Sequence, residues 1–176
     1  MTDLRDKIEE IKPLEIEKRS FEIISSELGD RKIDESIAPI VKRCIHTSAD
    51  FEYADNLCFS EDVVSKAIEA IKNGASIVTD TQMAKSGINK RALAKYGGEV
   101  HCFMSDEDVA LKAKEIGSTR ATASMIKASE LDQDFIFAVG NAPTALVTLY
   151  DLMKENKINP KLVIGVPVGF VNVVQS

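Results

Sequence analysis

The sequence predicts an α/β fold, a single three-layer domain built on a central, mostly parallel sheet. Three observations predict it. Short β-rich runs recur at 76–80, 99–103, 134–139 and 161–165, stretches with helical periodicity separate them, and no repeat, low-complexity segment or linker-like shift interrupts the 176 residues. Strands spaced by roughly 10–15-residue helices imply βαβ crossovers, and so a parallel sheet. A chain of this size hides roughly 70% of its extended surface on folding, enough for a core without staples.

The elements follow in order. After an amphipathic start, Ile37, Ile40, Val41, Cys44 and Ile45 recur at helical spacing and Pro39 suits a first turn, so a helix is expected from about Ile37 to His46. Lys42 and Arg43 sit near its carboxyl end, where the helix dipole favours cations. Residues 56–59 read as a short strand. Ser60 then caps a helix reaching Asn73, and Gly74 occupies the usual stop position. The 76–80 strand ends in polar residues, and the 99–103 strand leads through Ser105 into an acidic helix start at 106–108. Thr119 opens a helix to about Glu130. The apolar strand 134–139 precedes a helix from about Ala142 to Glu155, and Asn159 with Pro160 turns the chain into the last strand, 161–165.

Composition excludes several classes. Hydrophobic residues at 44% and charged residues at 28% lie near the globular average, which argues against disorder. With 22 basic and 28 acidic residues the net charge is −6, and no basic run is present, so nucleic acid is not expected as a partner. The longest uncharged run, 135–150, contains Gly140, Asn141 and Pro143 and is shorter than the ~20 apolar residues of a membrane helix. The charged opening, residues 1–7, has no apolar stretch behind it and is not expected to act as a signal peptide. A cytoplasmic domain without membrane contact is expected. Cys44, Cys58 and Cys102 form neither a CxxC nor a Cys/His cluster, so buried, inert thiols are expected and no metal site is signalled.

In a parallel sheet, ligands bind where loops leave the carboxyl ends of strands. That points to 79–85, 140–144 and 165–170. Gly140, Asn141, Ala142, Pro143 and Thr144 form the strongest local feature: Gly140 permits a sharp exit, Pro143 suits a first helical position, and the free amides either receive an anion or belong to a simple tight turn. The three-glycine dinucleotide pattern is absent, as are a Walker motif, a serine elbow and an HExxH motif. Asp80 and Gln82 at a strand end favour turn and capping bonds. Gly165 and Gly169 flank an apolar loop with Val168 that suits either a flat hydrophobic ligand or a chain reversal. Arg120 opens a helix against its dipole, which implies a compensating negative charge on a neighbour or on a ligand.

Two histidines are present. His101, inside an apolar strand, fits a hydrogen-bonded sheet histidine. His46 ends a helix, where the carboxyl terminus and nearby Asp50 favour the protonated ring while Lys42 and Arg43 oppose it. Position alone leaves a helix-capping and a catalytic role equally open.

Taken together, the segments around Arg19, Ser20 and Phe21, VKRCIHT at 41–47, LCFS at 57–60, DTQM at 80–83, GSTR at 117–120, GNAPT at 140–144 and GVPVGF at 165–170 resemble the precorrin-8X methylmutase family of vitamin B12 biosynthesis. The GNAPT and GVPVGF pair is the specific part. The resemblance implies an isomerase that moves a methyl group between adjacent carbons at ring C, converting precorrin-8X to hydrogenobyrinate or the cobalt-containing precursor to cobyrinate. It implies His46 as the catalytic residue, and Ser20, Arg43, Thr47, Asp80, Gln82, Arg120, Gly140, Asn141, Ala142, Pro143, Thr144, Val168 and Gly169 as substrate-binding residues. It also implies a homodimer, no added cofactor and no protein metal site, any cobalt belonging to the substrate. The family continues with a basic, glycine-rich stretch and a closing helix, so contacts from such an extension are expected to be missing here. Two other functions fit parts of the pattern: a corrinoid-binding protein without turnover, and an α/β enzyme for a phosphorylated ligand resting on 140–144 alone.

Overall fold

The computed structural model describes residues 8–176, so the charged opening run lies outside the described residues. Its contacts divide the chain into two compact units, Met1–Val64 and Ser65–Ser176. No proline- or glycine-rich linker marks that division in the sequence.

The first unit is helical among the described residues. Helix α1 (Ile16–Leu28) presents Phe21, Ile24 and Leu28 at three- and four-residue spacing and ends at Gly29, with φ +57°. Helix α2 (Ala38–Ser48) has Pro39 in its first turn and stops at left-handed Ala49. Val41 and Ile45, four apart and both buried, meet Ile24 and Leu28 in a cluster that also takes Phe51, Leu57 and Phe59. The strand expected at 56–59 does not form. Asn56 closes a one-turn helix, α3 (Tyr53–Asn56), and Leu57 and Phe59 pack into the helical cluster, while Cys58 is exposed and Cys44 only half-buried, so of the three thiols expected to be buried only Cys102 is. So short a run needs a strand to pair with, and this unit offers none among its described residues.

The second unit carries the parallel sheet. Strands β1 (Ser76–Thr79), β2 (Val100–His101), β3 (Phe135–Val139) and β4 (Leu162–Gly165) lie in the order β2-β1-β3-β4, all parallel. Ile77 is opposite Ile136, and Ile136 opposite Leu162. Alternation then sorts the side chains. Val78, Phe135, Phe137 and Val139 face a core built with α7 (Glu107–Glu115), α8 (Arg120–Ser129) and α9 (Pro143–Lys154). Ile77, Ile136 and Leu162 face Ala70 and Ile71 of α4 (Val63–Lys72). The sheet is thus the middle of three layers. Burying each large apolar side chain there contributes about 1.5–3 kcal/mol.

Two short helices not anticipated from the sequence, α5 (Gln82–Gly87) and α6 (Lys90–Ala94), occupy the crossover from β1 to β2. Thr81 and Asn89 cap them, accepting from the amides of Ala84 and Ala92. The 99–103 strand shrinks to two residues, and Cys102 and Phe103 leave the ladder to be buried.

His101 corrects a second expectation. Its ring stacks on Phe103 at 5.7 Å and meets Phe135 edge-on, but Nε2 is buried without a hydrogen-bond partner, Glu99 being 4.0 Å away. Burial holds its pKa below 6.5 against the pull of Glu99, and Lys85 adds to the lowering. The unfolded ring therefore takes a proton more readily than the folded one. Stability from this group is complete above about pH 6.5 and declines as pH falls through that value toward the folded pKa. Denaturant midpoints from pH 7.5 to 5 will show a smaller fall for His101→Phe than for the parent.

Candidate active site

In the first unit, α1 and α2 bring Ser20 and His46 together across 26 residues of sequence. Ser20 sits one residue before Phe21, four before buried Ile24, and His46 directly follows buried Ile45. The same packing that seats the two apolar side chains therefore aims both polar groups into one groove. Ser20 Oγ lies 2.7 Å from His46 Nδ1, and Phe21 meets the imidazole edge-on at 5.4 Å. A serine hydroxyl both donates and accepts. When it donates to Nδ1, the neutral ring carries its proton on Nε2; when the ring is protonated, Nδ1–H donates back to Oγ. One partner thus serves both protonation states.

The groove has a volume of about 320 Å³ and is lined by Ile11, Ile16, Ser20, Ile23 and His46 among others. Arg19 on its wall pairs with Glu9 at 2.8 Å and Glu22 at 3.6 Å. The other expected residues of this unit turn elsewhere. The Arg43 guanidinium lies 4.9 Å over the Phe21 ring and pairs with Glu17, while Thr47 bonds the carbonyls of Arg43 and Cys44, both at 3.0 Å. Asp50 does not reach the histidine: its Oδ1 accepts from the Glu52 amide at 2.8 Å.

In the second unit, the carboxyl ends of β1 and β3 are joined by Asp80. This side chain is fully buried, and it accepts from three successive amides: Gly140 at 3.0 Å, Asn141 at 2.8 Å and Ala142 at 2.7 Å. Of the two readings left open for 140–142, a ligand anion or a simple tight turn, the structure shows all three amides engaged by the protein's own carboxylate. Pro143 begins α9, and the Thr144 hydroxyl lies 3.0 Å from that of Thr119, the cap of α8. Gln82 Nε2 donates at 3.4 Å to the Cys102 carbonyl and at 3.3 Å to Ser105 Oγ.

Arg120 opens α8 and is exposed, and among the described residues no carboxylate pairs with it. Of the two sources of negative charge expected for it, the neighbouring side chain is therefore not found. Past β4, Val168 and Gly169 lie on an exposed run with Val166, Phe170 and Val171. Leu146 of α9 packs against Gly165, where an added Cβ would come within 3.1 Å of its Cδ1. Among the described residues, no group of three His, Cys, Asp or Glu side chains is placed to hold a metal ion, and no helix is long and apolar enough to cross a membrane.

A family model described as precorrin-8X methylmutase matches residues 15–176. The cobalt-precorrin-8 methylmutase of Priestia megaterium is 46% identical over 166 residues, covering 94% of this chain and 74% of its own length. The Salmonella typhimurium protein of the same name is 42% identical over 170 residues, covering 93% and 79%. Among solved structures, the precorrin-8x methyl mutase of Thermus thermophilus matches with a TM-score of 0.81 at 39% identity, covering 91% of this chain and 77% of that one.

Proposed function

This chain belongs to the precorrin-8X methylmutase family, and from that premise we infer that it is an isomerase of cobalamin biosynthesis that moves a methyl group between adjacent ring carbons of a corrin precursor. In such a step one carbon–carbon bond breaks and another forms within the same molecule, so substrate and product have equal mass. No external group donor is needed, which is why positioning and one proton-bearing side chain suffice. We therefore propose that no added cofactor takes part and that cobalt, where present, belongs to the substrate.

The observation that carries this reading at the level of the site is the pairing of Ser20 with His46 in the groove. His46 supplies a proton or hydrogen bond near ring C, stabilising charge that develops as the methyl group migrates. Pockets for whole ligands run from about 300 to 1,000 Å³. The groove, at about 320 Å³, accommodates one edge of a macrocycle. The second unit, taken by itself, offers the Arg120 guanidinium to a carboxylate, and the Thr144 hydroxyl of the 140–144 turn and the exposed apolar run containing Val168 to a corrin precursor. We propose that the enzyme acts in the cytoplasm as a homodimer, for which sedimentation velocity is the test.

Anaerobic incubation with precorrin-8X and, separately, cobalt-precorrin-8 will change the absorbance spectrum of at least one at constant mass. A pigment that binds stoichiometrically yet keeps its spectrum through many turnover times overturns the catalytic reading. Ser20→Ala removes one hydrogen bond, of about 1–1.5 kcal/mol, to the imidazole, and so is expected to lower kcat about 5–10-fold without changing the melting temperature. Initial rates at saturating substrate check this.

A further inference from the structure

We propose that Asp80 is a positioning residue, a resident carboxylate that shapes the 140–144 turn for contact with the substrate; this rests on the reading above that the turn meets the corrin precursor. The strand order makes β1 and β3 the switch point of the sheet, because the chain leaves β1 toward one edge and β3 toward the other. The crevice between two such strands is where open parallel sheets receive ligands.

Here that crevice is filled from within. Asp80 follows β1 directly, is fully buried, and binds the amides of residues 140, 141 and 142 with both oxygens. Those amides lead into α9, a twelve-residue helix whose own cap, Ala142, has no side chain able to cap it. Asp80, from 60 residues away, holds the three amides that precede the helix, and so fixes the turn that feeds α9. The turn therefore meets a ligand with what lies outside the amide array: the Pro143 ring, and the Thr144 hydroxyl tied to Thr119. Asp80 itself touches no ligand. Its carboxylate fixes where those two groups stand.

Asp80→Asn keeps the size of the side chain but turns one acceptor into an amide group facing N–H donors, so at least one of the three bonds is lost. The expected result is a KM raised about 10-fold or more with kcat per folded molecule within about twofold, the signature of lost uniform binding. A merely structural role would reduce the folded fraction and leave KM unchanged, and that result overturns the proposal. Thr144→Val separates the two levels. If it raises KM while Asp80→Asn does not, positioning fails and contact at the turn stands; if neither raises KM, contact at the turn fails as well. Should Asp80→Asn not fold, the unmodified protein is titrated with the product cobyrinate and followed by backbone NMR. The signals of Thr144 and Ala145 should then shift while the amides of 140–142 stay protected from exchange. Loss of that protection on binding, or shifts confined to other segments, overturns the proposal.

Discussion

His46→Ala is expected to lower kcat about 10²–10⁴-fold while changing KM little, since a general acid acts on the transition state more than on bound substrate. The fold should tolerate the change. The side chain is half-buried, its neighbours Val41 and Ile45 carry the packing of α2, and the one polar partner it leaves, Ser20, sits at a groove open to water. Single-turnover absorbance with matched melting curves checks this, and an alanine variant within about threefold of the parent would remove His46 from the chemistry. His46→Gln divides the effect further. Glutamine keeps a donor but cannot release a proton, so recovery of most activity would assign His46 a hydrogen-bonding role, and persistent loss would assign it proton transfer.

The second large effect is on stability. Phe137 is fully excluded from solvent in the third position of β3, paired with Val78 on one side and Val163 on the other, and Phe135 meets its ring edge-on at 5.9 Å. Its side chain enters the core shared with α7, α8 and α9. Truncation removes the transfer energy of the ring and leaves a void that two hydrogen-bonded neighbouring strands resist closing. Phe137→Ala should therefore cost about 3–5 kcal/mol, a large part of the 5–15 kcal/mol that holds a typical domain together. Urea titration followed by far-ultraviolet circular dichroism will show a lower midpoint with an unchanged slope. Activity per folded molecule at low temperature should match the parent, because the ring is fully excluded from solvent within the core of the second unit.

Much of the second unit is legible in the sequence, and the reason is local. Four β-rich runs separated by helical stretches specify a parallel sheet whatever the strand order. Pro39, Thr119 and Pro143 mark helix starts by properties of their own backbones and side chains, and the observed helices begin within a residue or so of them. What failed locally failed for a physical reason. Residues 56–59 have a strand's composition, but Leu57 and Phe59 find helices to pack on and no strand to pair with. Helices α5 and α6, of six and five residues, are too short for periodicity to show; Thr81 and Asn89 were the available signals.

The site divides the same way. Residue types and spacing placed Asp80 at a strand end and His46 at a helix end. They did not show that the Asp80 carboxylate reaches amides 60 residues on, or that the hydroxyl of Ser20 lies against the imidazole. Both pairings are created by packing of distant apolar neighbours, and no local pattern encodes them. The amides of 140–142 leave a ligand anion and a tight turn equally open in the sequence, and their acceptor is the side chain of Asp80.

That built-in counter-charge bears on life in a crowded metabolite pool. A sheet of this topology with an open amide cradle would be a trap for nucleotides, sugar phosphates and inorganic phosphate, each far more abundant than a scarce biosynthetic pigment. With a carboxylate permanently seated there, such competitors meet a closed door and a repelling charge. Phosphate-bearing molecules therefore find no free amide cradle at residues 140–142.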